Sequence, residues 1–321
     1  MKLSLVIPCF NEQENLSRLF TEIDAMAASW SGPIEIILVD DGSRDQTAAM
    51  IKAKAQTDPR YQAIVFRRNF GQTAAMVAGF DRASGDVVVP LDADLQNDPA
   101  DIPRLVAELD RGFDVVSGWR KHRHDSVWRR LPSAVANWLI AWVGGVNIHD
   151  YGCTLKAYKK TVLDNVHLYG EMHRFIPIHA AWAGARVTEL VVNHRPRTAG
   201  VSNYGLGRTF KVVLDLLTVK LLGSYATKPI YFFGFYGAWV SCVGLVAAVS
   251  VAVIKVLSIQ WQHTFSLGLL AAFMLLLGVQ SVMMGLLAEL QVRTYHESQH
   301  KPIYLIEESV GAATVAPRVE A

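Results

Sequence analysis

Two aspartates two residues apart, Asp92 and Asp94, carry the first chemical signal in this chain. On an extended segment, residues two apart point the same way, so both carboxylates reach one ion. Mg2+ or Mn2+ suits such a pair, because a hard cation takes one or two carboxylates and keeps positions for water and substrate phosphates. Gln96, two residues on, adds a neutral oxygen. A cation in that position neutralises a diphosphate leaving group without a transferred proton. An isolated Asp-x-Asp is equally what a capped turn looks like. Here two more acidic turns accompany it, Pro8-Cys9-Phe10-Asn11-Glu12 and Asp40-Asp41-Gly42-Ser43, and each follows an apolar run.

Those runs are the elements that must position the turns. Strands are expected at Leu3–Ile7, Glu35–Val39, Ala63–Phe66, Asp86–Leu91 and Asp114–Ser117, with helices near Glu14–Ala28, Asp45–Thr57, Gln72–Ala83 and Pro99–Arg111. Near-continuous Val/Ile strands separated by helices predict an α/β domain with a mainly parallel sheet covered on both faces. In such sheets ligands bind beyond the carboxyl ends of the strands, so the three acidic turns converge on one edge. Gly144-Gly145 reads as a helix terminator, since no strand leads into it and the spacing of a phosphate loop is missing.

Composition excludes several classes. Of 321 residues 51% are hydrophobic and 19% charged, which rules out a disordered solvating chain. The net charge of +2 gives no footprint for nucleic acid. Cys9, Cys153 and Cys242 are too scattered for a disulfide scaffold or a metal knuckle, and they read as buried small thiols.

The apolar residues are unevenly spread. Residues 229–254 hold no charge, and a second uncharged run follows Lys255, greasiest from Phe265 to Ala288. Crossing the hydrocarbon of a bilayer takes about 20 helical residues, so each run is long enough. Two spans, about 229–256 and 265–288 within 228–290, are expected to form a hairpin that places the lipid bilayer among the partners. Arg208, Lys211, Lys220 and Lys228 precede it and Arg293 and Lys301 follow, which puts both ends in the cytoplasm. Stretches 128–145 and 205–225 carry Trp and Lys/Arg patterns suited to helices at the bilayer surface. The domains expected are a cytoplasmic catalytic unit over 1–227, the hairpin, and a tail over 291–321, disordered from about Ser309. Small residues such as Gly234, Gly237 and Gly278 in the spans suit helix packing, and with it a homo-oligomer.

The ordered set of motifs resembles the family 2 glycosyltransferases, whose fold is the GT-A nucleotide-sugar-binding fold. The resemblance runs on through Arg68-Asn69-Phe70-Gly71, Ser117-Gly118-Trp119-Arg120, Gly152-Cys153-Thr154-Leu155, His173-Arg174-Phe175-Ile176-Pro177 and the stretch from Arg197 to Tyr204. With two C-terminal spans, the pattern is similar to the polyprenyl-phosphate glycosyltransferases, relatives of dolichol-phosphate mannosyltransferase and of bactoprenol glucosyltransferases. The resemblance implies an inverting transfer of a sugar from a nucleotide sugar to undecaprenyl phosphate, at the cytoplasmic face of the bacterial inner membrane. UDP-glucose is the default donor, with GDP-mannose, UDP-GlcNAc or a modified arabinose donor open.

Residue by residue, it implies that Pro8, Phe10, Glu12, Val39 and Asp41 hold the donor's base and ribose. Asp92, Asp94 and Gln96 hold the Mg2+ or Mn2+ that bridges its phosphates, and Arg197 contacts the diphosphate. Arg120, Arg129 and Ser133 meet the acceptor phosphate, with Asp94 and Arg120 as the catalytic pair. Glu171 and His173 read as organisers of the sugar pocket. Relatives often carry Lys where Asn203 stands here, which removes one phosphate contact unless Arg208 or Lys211 supplies it. Guanidinium groups suit phosphate independently of any resemblance, through bidentate hydrogen bonds. Two other readings are a transferase extending a polysaccharide and a catalytically silent nucleotide-sugar-binding membrane subunit. The first lacks a QxxRW-type motif, and the intact Asp92, Asp94 and Arg120 argue against the second.

Overall fold

A computed structural model of the chain describes residues 1–121, 140–141, 144–164, 166, 172–196 and 306–311, with eight isolated helical positions between 269 and 294. The five strands the sequence predicts are present: β1 (Leu3–Cys9), β2 (Ile34–Asp40), β3 (Tyr61–Phe66), β4 (Val87–Pro90) and β5 (Val115–Trp119). Between them lie α1 (Gln13–Ser29), α2 (Thr47–Thr57), α3 (Gln72–Arg82) and α4 (Ile102–Asp110). Three strands were not expected, β6 (Lys156–Lys159), β7 (Val187–Val191) and β8 (Ile306–Val310). Two short helices, α5 (Lys160–Leu163) and α6 (Ile176–Trp182), complete the elements used below.

The eight strands form one sheet in the order β7-β5-β6-β4-β1-β2-β3-β8. Strands β3, β2, β1 and β4 are parallel, whereas β6 runs antiparallel to both β4 and β5. Two reversals cancel, so β5 points the same way as β4. The carboxyl ends of β1, β2, β4 and β5 therefore share one edge of the sheet. Chain order proceeds outward from β1 to β3 on one side and resumes with β4 on the other. The crevice between β1 and β4 is thus the switch point at which open α/β sheets bind ligands.

Burial explains why these segments are strands. Leu3, Leu5, Val6 and Ile7 of β1 and Ile36 to Val39 of β2 are all 0% exposed, so both strand faces are covered. Each such side chain contributes about 1.5–3 kcal/mol of burial free energy. Helix α1 covers one face with Leu16, Leu19, Ile23 and Met26, at steps of three and four. The expected helix terminator is present: Gly145 has φ 70 and its N–H reaches the carbonyl of Ala141 at 2.9 Å. Only glycine takes that left-handed conformation without steric cost.

The tail corrects one expectation. Ser309 and Val310 are not disordered but belong to β8, which pairs antiparallel with β3 and adds an ion pair from Glu308 to Lys52 at 2.9 Å. An exposed edge strand favours charges, because unpaired backbone groups otherwise recruit another chain. Glu307 and Glu308 supply such charges on β8.

The chain divides into two units, Met1–Leu216 with His300–Ala321, and Leu217–Gln299. The spans expected at 229–256 and 265–288 lie outside the described residues, apart from isolated helical positions. Among these, Leu269, Phe273, Leu276 and Leu287 expose apolar side chains. Among the described residues no helix is long and apolar enough to cross a membrane. The helices expected at 128–145 and 205–225 also lie outside the described residues, except for positions 140, 141, 144 and 145.

Candidate active site

The loops leaving β1 and β2 are bound to each other by side chains reaching across. The N–H of Asn11 donates to Ser43 Oγ at 2.9 Å, and Asn11 Oδ1 accepts from the Arg44 N–H at 2.9 Å. The Glu12 N–H donates to Thr47 Oγ1 at 2.8 Å, and Gln13 Oε1 accepts from the Gln46 N–H at 3.0 Å. Asn11 sits at φ 56, a strained conformation that asparagine tolerates better than most residues. The result is a braced double loop that presents Phe10, 37% exposed, as an aromatic face.

Asp41 is buried and both its oxygens are engaged, Oδ1 by the Phe70 N–H at 2.7 Å and Oδ2 by the Gly71 N–H at 2.9 Å. Burial raises its pKa to about 6 against the opposing pull of those amides. A cavity of about 640 Å³ opens beside it, lined by Phe10, Asp40, Gly42, Arg68 and Asn69 among others. Of the residues expected to hold a donor, Phe10 lines this cavity, and Asp41 anchors the loop that forms part of its wall. Pro8 and Val39 are strand residues paired with each other in register, and Val39 is fully buried.

Beyond β4, Asp92 and Asp94 are both partly buried. Asp92 Oδ1 accepts from Gln72 Nε2 at 2.8 Å, and the Thr154 hydroxyl also donates to this carboxylate. Asp94 Oδ1 accepts from the Gln96 N–H at 3.2 Å. Leu95, between them, has φ 61 while its side chain is 3% exposed. A bulky residue in this region costs of order 1–3 kcal/mol, and such strain gathers at functional turns. Burial first, and then the charge of Asp94, push the Asp92 pKa up; the charges of Arg120 and Lys156 pull it back. Two carboxylates set against each other with a neutral amide alongside form a donor set that fits Mg2+ or Mn2+. Among the described residues no three or more His, Cys, Asp or Glu side chains converge on one point. Asp92 and Asp94, with Gln96, are the residues that would hold such a cation, which keeps positions for water and phosphate oxygens.

Arg120 follows β5 on the same edge. Its Nε and Nη2 donate to Asp150 Oδ2 and Oδ1 at 2.7 and 2.9 Å, a bidentate pair with side chains 13% and 4% exposed. Gly152 is held close, since a Cβ there would lie 3.2 Å from Arg120 Nη2. Lys156, 2% exposed, donates Nζ to the carbonyls of Tyr151 and Cys153, and burial lowers its pKa. It secures the turn that carries Cys153 and Thr154. Both described cysteines are free and buried, with pKa values raised by burial, as inert packing groups require.

The start of α3 ties the site together. Gln72 reaches Asp92, and Thr73 Oγ1 meets His173 Nδ1 at 2.8 Å, both groups buried. His173 is thus fixed to the helix beside the aspartates, while Glu171 lies outside the described residues. Replacing Thr73 by Val removes the hydroxyl and leaves the histidine nitrogen buried without it. Thr73→Val is expected to cost about 1–3 kcal/mol of stability. Urea unfolding against Thr73→Ser, which keeps the hydroxyl, checks this; equal midpoints for the two variants would refute it.

The structure thus brings Phe10, Glu12, Asp41, Asp92, Asp94, Gln96 and Arg120 to one sheet edge. Arg129, Ser133 and Arg197 lie outside the described residues. Sequence reasoning missed Gln72, Thr73, Asp150 and Lys156. Gln72 and Thr73 directly follow the Arg68–Gly71 motif, the one local signal that pointed toward them.

Residues 4–166 match the family described as Glycosyl transferase family 2. The chain is 40% identical over 313 residues to the dodecaprenyl-phosphate galacturonate synthase of Rhizobium johnstonii, covering 96% of this chain and 93% of that one. It is 38% identical over 313 residues to the undecaprenyl-phosphate 4-deoxy-4-formamido-L-arabinose transferase of Yersinia enterocolitica, covering 97% and 94%. Among solved structures, glucosyl-3-phosphoglycerate synthase from Mycobacterium tuberculosis, in complex with Mn2+, UDP-glucose and phosphoglyceric acid, superposes with a TM-score of 0.53 at 19% identity. That match covers 68% of this chain and 79% of the other, and it shows a shared GT-A-like fold.

Proposed function

We infer the activity from a plain premise, that this chain belongs to glycosyl transferase family 2 and is a glycosyltransferase: it moves a sugar from a nucleotide-sugar donor onto a polyprenyl phosphate. The observation that carries this reading is the shared edge. Asp92 and Asp94 leave β4 there, and Arg120 leaves β5 with its guanidinium already oriented by Asp150.

In the proposed reaction an oxygen of the acceptor phosphate attacks the anomeric carbon from the face opposite the leaving group. The new C–O bond forms as the bond to the nucleoside diphosphate breaks, the electron pair departs with the diphosphate, and the configuration inverts. A phosphate is already ionised near neutral pH, so no strong general base is required. The chain's task is then positioning and charge stabilisation. Phe10 offers a face for the base, and the braced loops after β1 and β2 keep it in place. Arg120 contacts the acceptor phosphate, together with Arg129 and Ser133. When bound at Asp92, Asp94 and Gln96, Mg2+ or Mn2+ supplies positive charge to the departing diphosphate.

A prenyl acceptor resides in lipid, so we assign the reaction to the cytoplasmic face of a bacterial inner membrane, with 229–256 and 265–288 as spans. The flanking Lys and Arg support that orientation. The names of the two relatives mention galacturonate and a formamido-arabinose, which moves the preferred donor away from UDP-glucose toward sugars of those kinds.

The test is transfer of radiolabel into lipid-soluble product with undecaprenyl phosphate. The donors are UDP-glucose, UDP-galacturonate, UDP-4-deoxy-4-formamido-L-arabinose and GDP-mannose, each with and without EDTA. Label from one of the two UDP-linked relatives' sugars, abolished by EDTA and restored by Mn2+, is the expected result. Transfer insensitive to EDTA would remove the metal role, and no lipid-soluble label from any donor would remove the acceptor assignment.

A further inference from the structure

We propose that Glu189, acting through His149, is a positioning residue for Arg120; this rests on the reading of Arg120 as an acceptor-phosphate contact. Strand β5 ends at Trp119, and consecutive residues leave a strand on opposite faces. The pair His149-Asp150 matches them one for one. The His149 ring stacks on Trp119 with centroids 4.2 Å apart at 13°, while the Asp150 carboxylate grips the Arg120 guanidinium. The dipeptide straddles the end of β5.

Asp150 fixes Arg120 only as well as its own backbone is fixed. Glu189 supplies that anchor from β7, the neighbouring strand, where it sits in register with Ser117. One of its oxygens accepts the His149 backbone N–H at 2.7 Å and the other meets His149 Nδ1. The Glu189 side chain is 18% exposed and that of His149 60%, so the better-buried partner holds the more open one. Backbone and ring of His149 are thus both tied to one carboxylate, which restricts rotation about the next residue, Asp150. Small misplacements of a phosphate-binding group cost large factors in rate, and that makes the brace consequential.

The experiment measures kcat and donor KM for the full chain and its Glu189→Ala, Glu189→Gln, Asp150→Asn and Glu189→Ala/Asp150→Asn variants, with undecaprenyl phosphate as acceptor. Glu189→Ala is expected to lower kcat about tenfold or more while donor KM stays within about twofold. Glu189→Gln, which keeps an acceptor for the His149 N–H, recovers most of the loss. Adding Glu189→Ala to Asp150→Asn costs little more, because both act on one guanidinium. Turnover within about twofold of wild type in Glu189→Ala, multiplicative losses in the double variant, or an equal fall in donor affinity would each overturn the proposal. A wild-type chain that transfers nothing to the lipid phosphate fails the acceptor reading and this role with it. Wild-type turnover with an unaffected Glu189→Ala removes the brace alone.

Discussion

Asp94→Asn is expected to reduce sugar transfer by about 10³-fold or more while the fold survives. The asparagine keeps a side-chain oxygen for the Gln96 N–H that Asp94 now accepts at 3.2 Å, so the turn after β4 retains its local bond. What it loses is one of two negative charges able to hold a divalent cation against a diphosphate. Charge stabilisation of that kind contributes several kcal/mol to a transition state, and each 1.4 kcal/mol is a factor of ten. The electrostatics give a second readout. The Asp94 charge helps to raise the Asp92 pKa, so its removal makes Asp92 more acidic even as metal affinity falls. Transfer assays at saturating Mn2+, with Mn2+ binding followed by electron paramagnetic resonance, separate the two effects. Activity above about a tenth of wild type would be incompatible with Asp94 as a ligand.

Asp150→Ala carries the second large effect, and it falls first on stability. The Arg120–Asp150 pair is nearly solvent-free, at 13% and 4% side-chain exposure. Removing one partner of such a pair takes away the bidentate counter-charge of Arg120 in a poorly solvated place, which costs about 3–5 kcal/mol. Asp150 also accepts the Gly152 N–H at 3.1 Å, so the turn that carries Cys153 and Thr154 loosens as well. The expected outcome is a large fall in the unfolding midpoint together with loss of transfer. Asp150→Asn, which keeps an acceptor for the guanidinium, should lose less of both. A midpoint for Asp150→Ala within about 1 kcal/mol of wild type would show that Arg120 finds another partner at no cost.

The parallel half of the sheet was legible because both faces of its strands are covered, which leaves near-continuous apolar runs such as Leu3–Ile7, broken only by Ser4, and Ile36–Val39. The acidic turns were legible because strand ends and ligand edges coincide in open α/β sheets. The antiparallel strand β6 and the parallel edge strand β7 were not. Lys156–Lys159 is four residues long with a lysine at each end, and Val187–Val191 is only partly buried. Their pairing is set by neighbours far away in the chain rather than by local pattern. The site shows the same division. Asp92, Asp94 and Arg120 stand in recognisable motifs, but the groups that orient them come from a distance. Asp150 lies 30 residues from Arg120, and Thr73 lies 100 from His173. Nothing in the composition of a short segment encodes such partners.

Strand β8 has a consequence for biosynthesis. It is translated after the whole of 217–299, yet it completes a sheet whose other seven strands are made within the first 191 residues. During synthesis the free side of β3 waits with its backbone groups unpaired while more than a hundred further residues emerge. Domains generally begin to fold from the amino terminus as they leave the ribosome, and open strand edges are where nascent chains stick to one another. A chain interrupted between β7 and β8 would therefore carry a sheet whose β3 edge stays unpaired and adhesive.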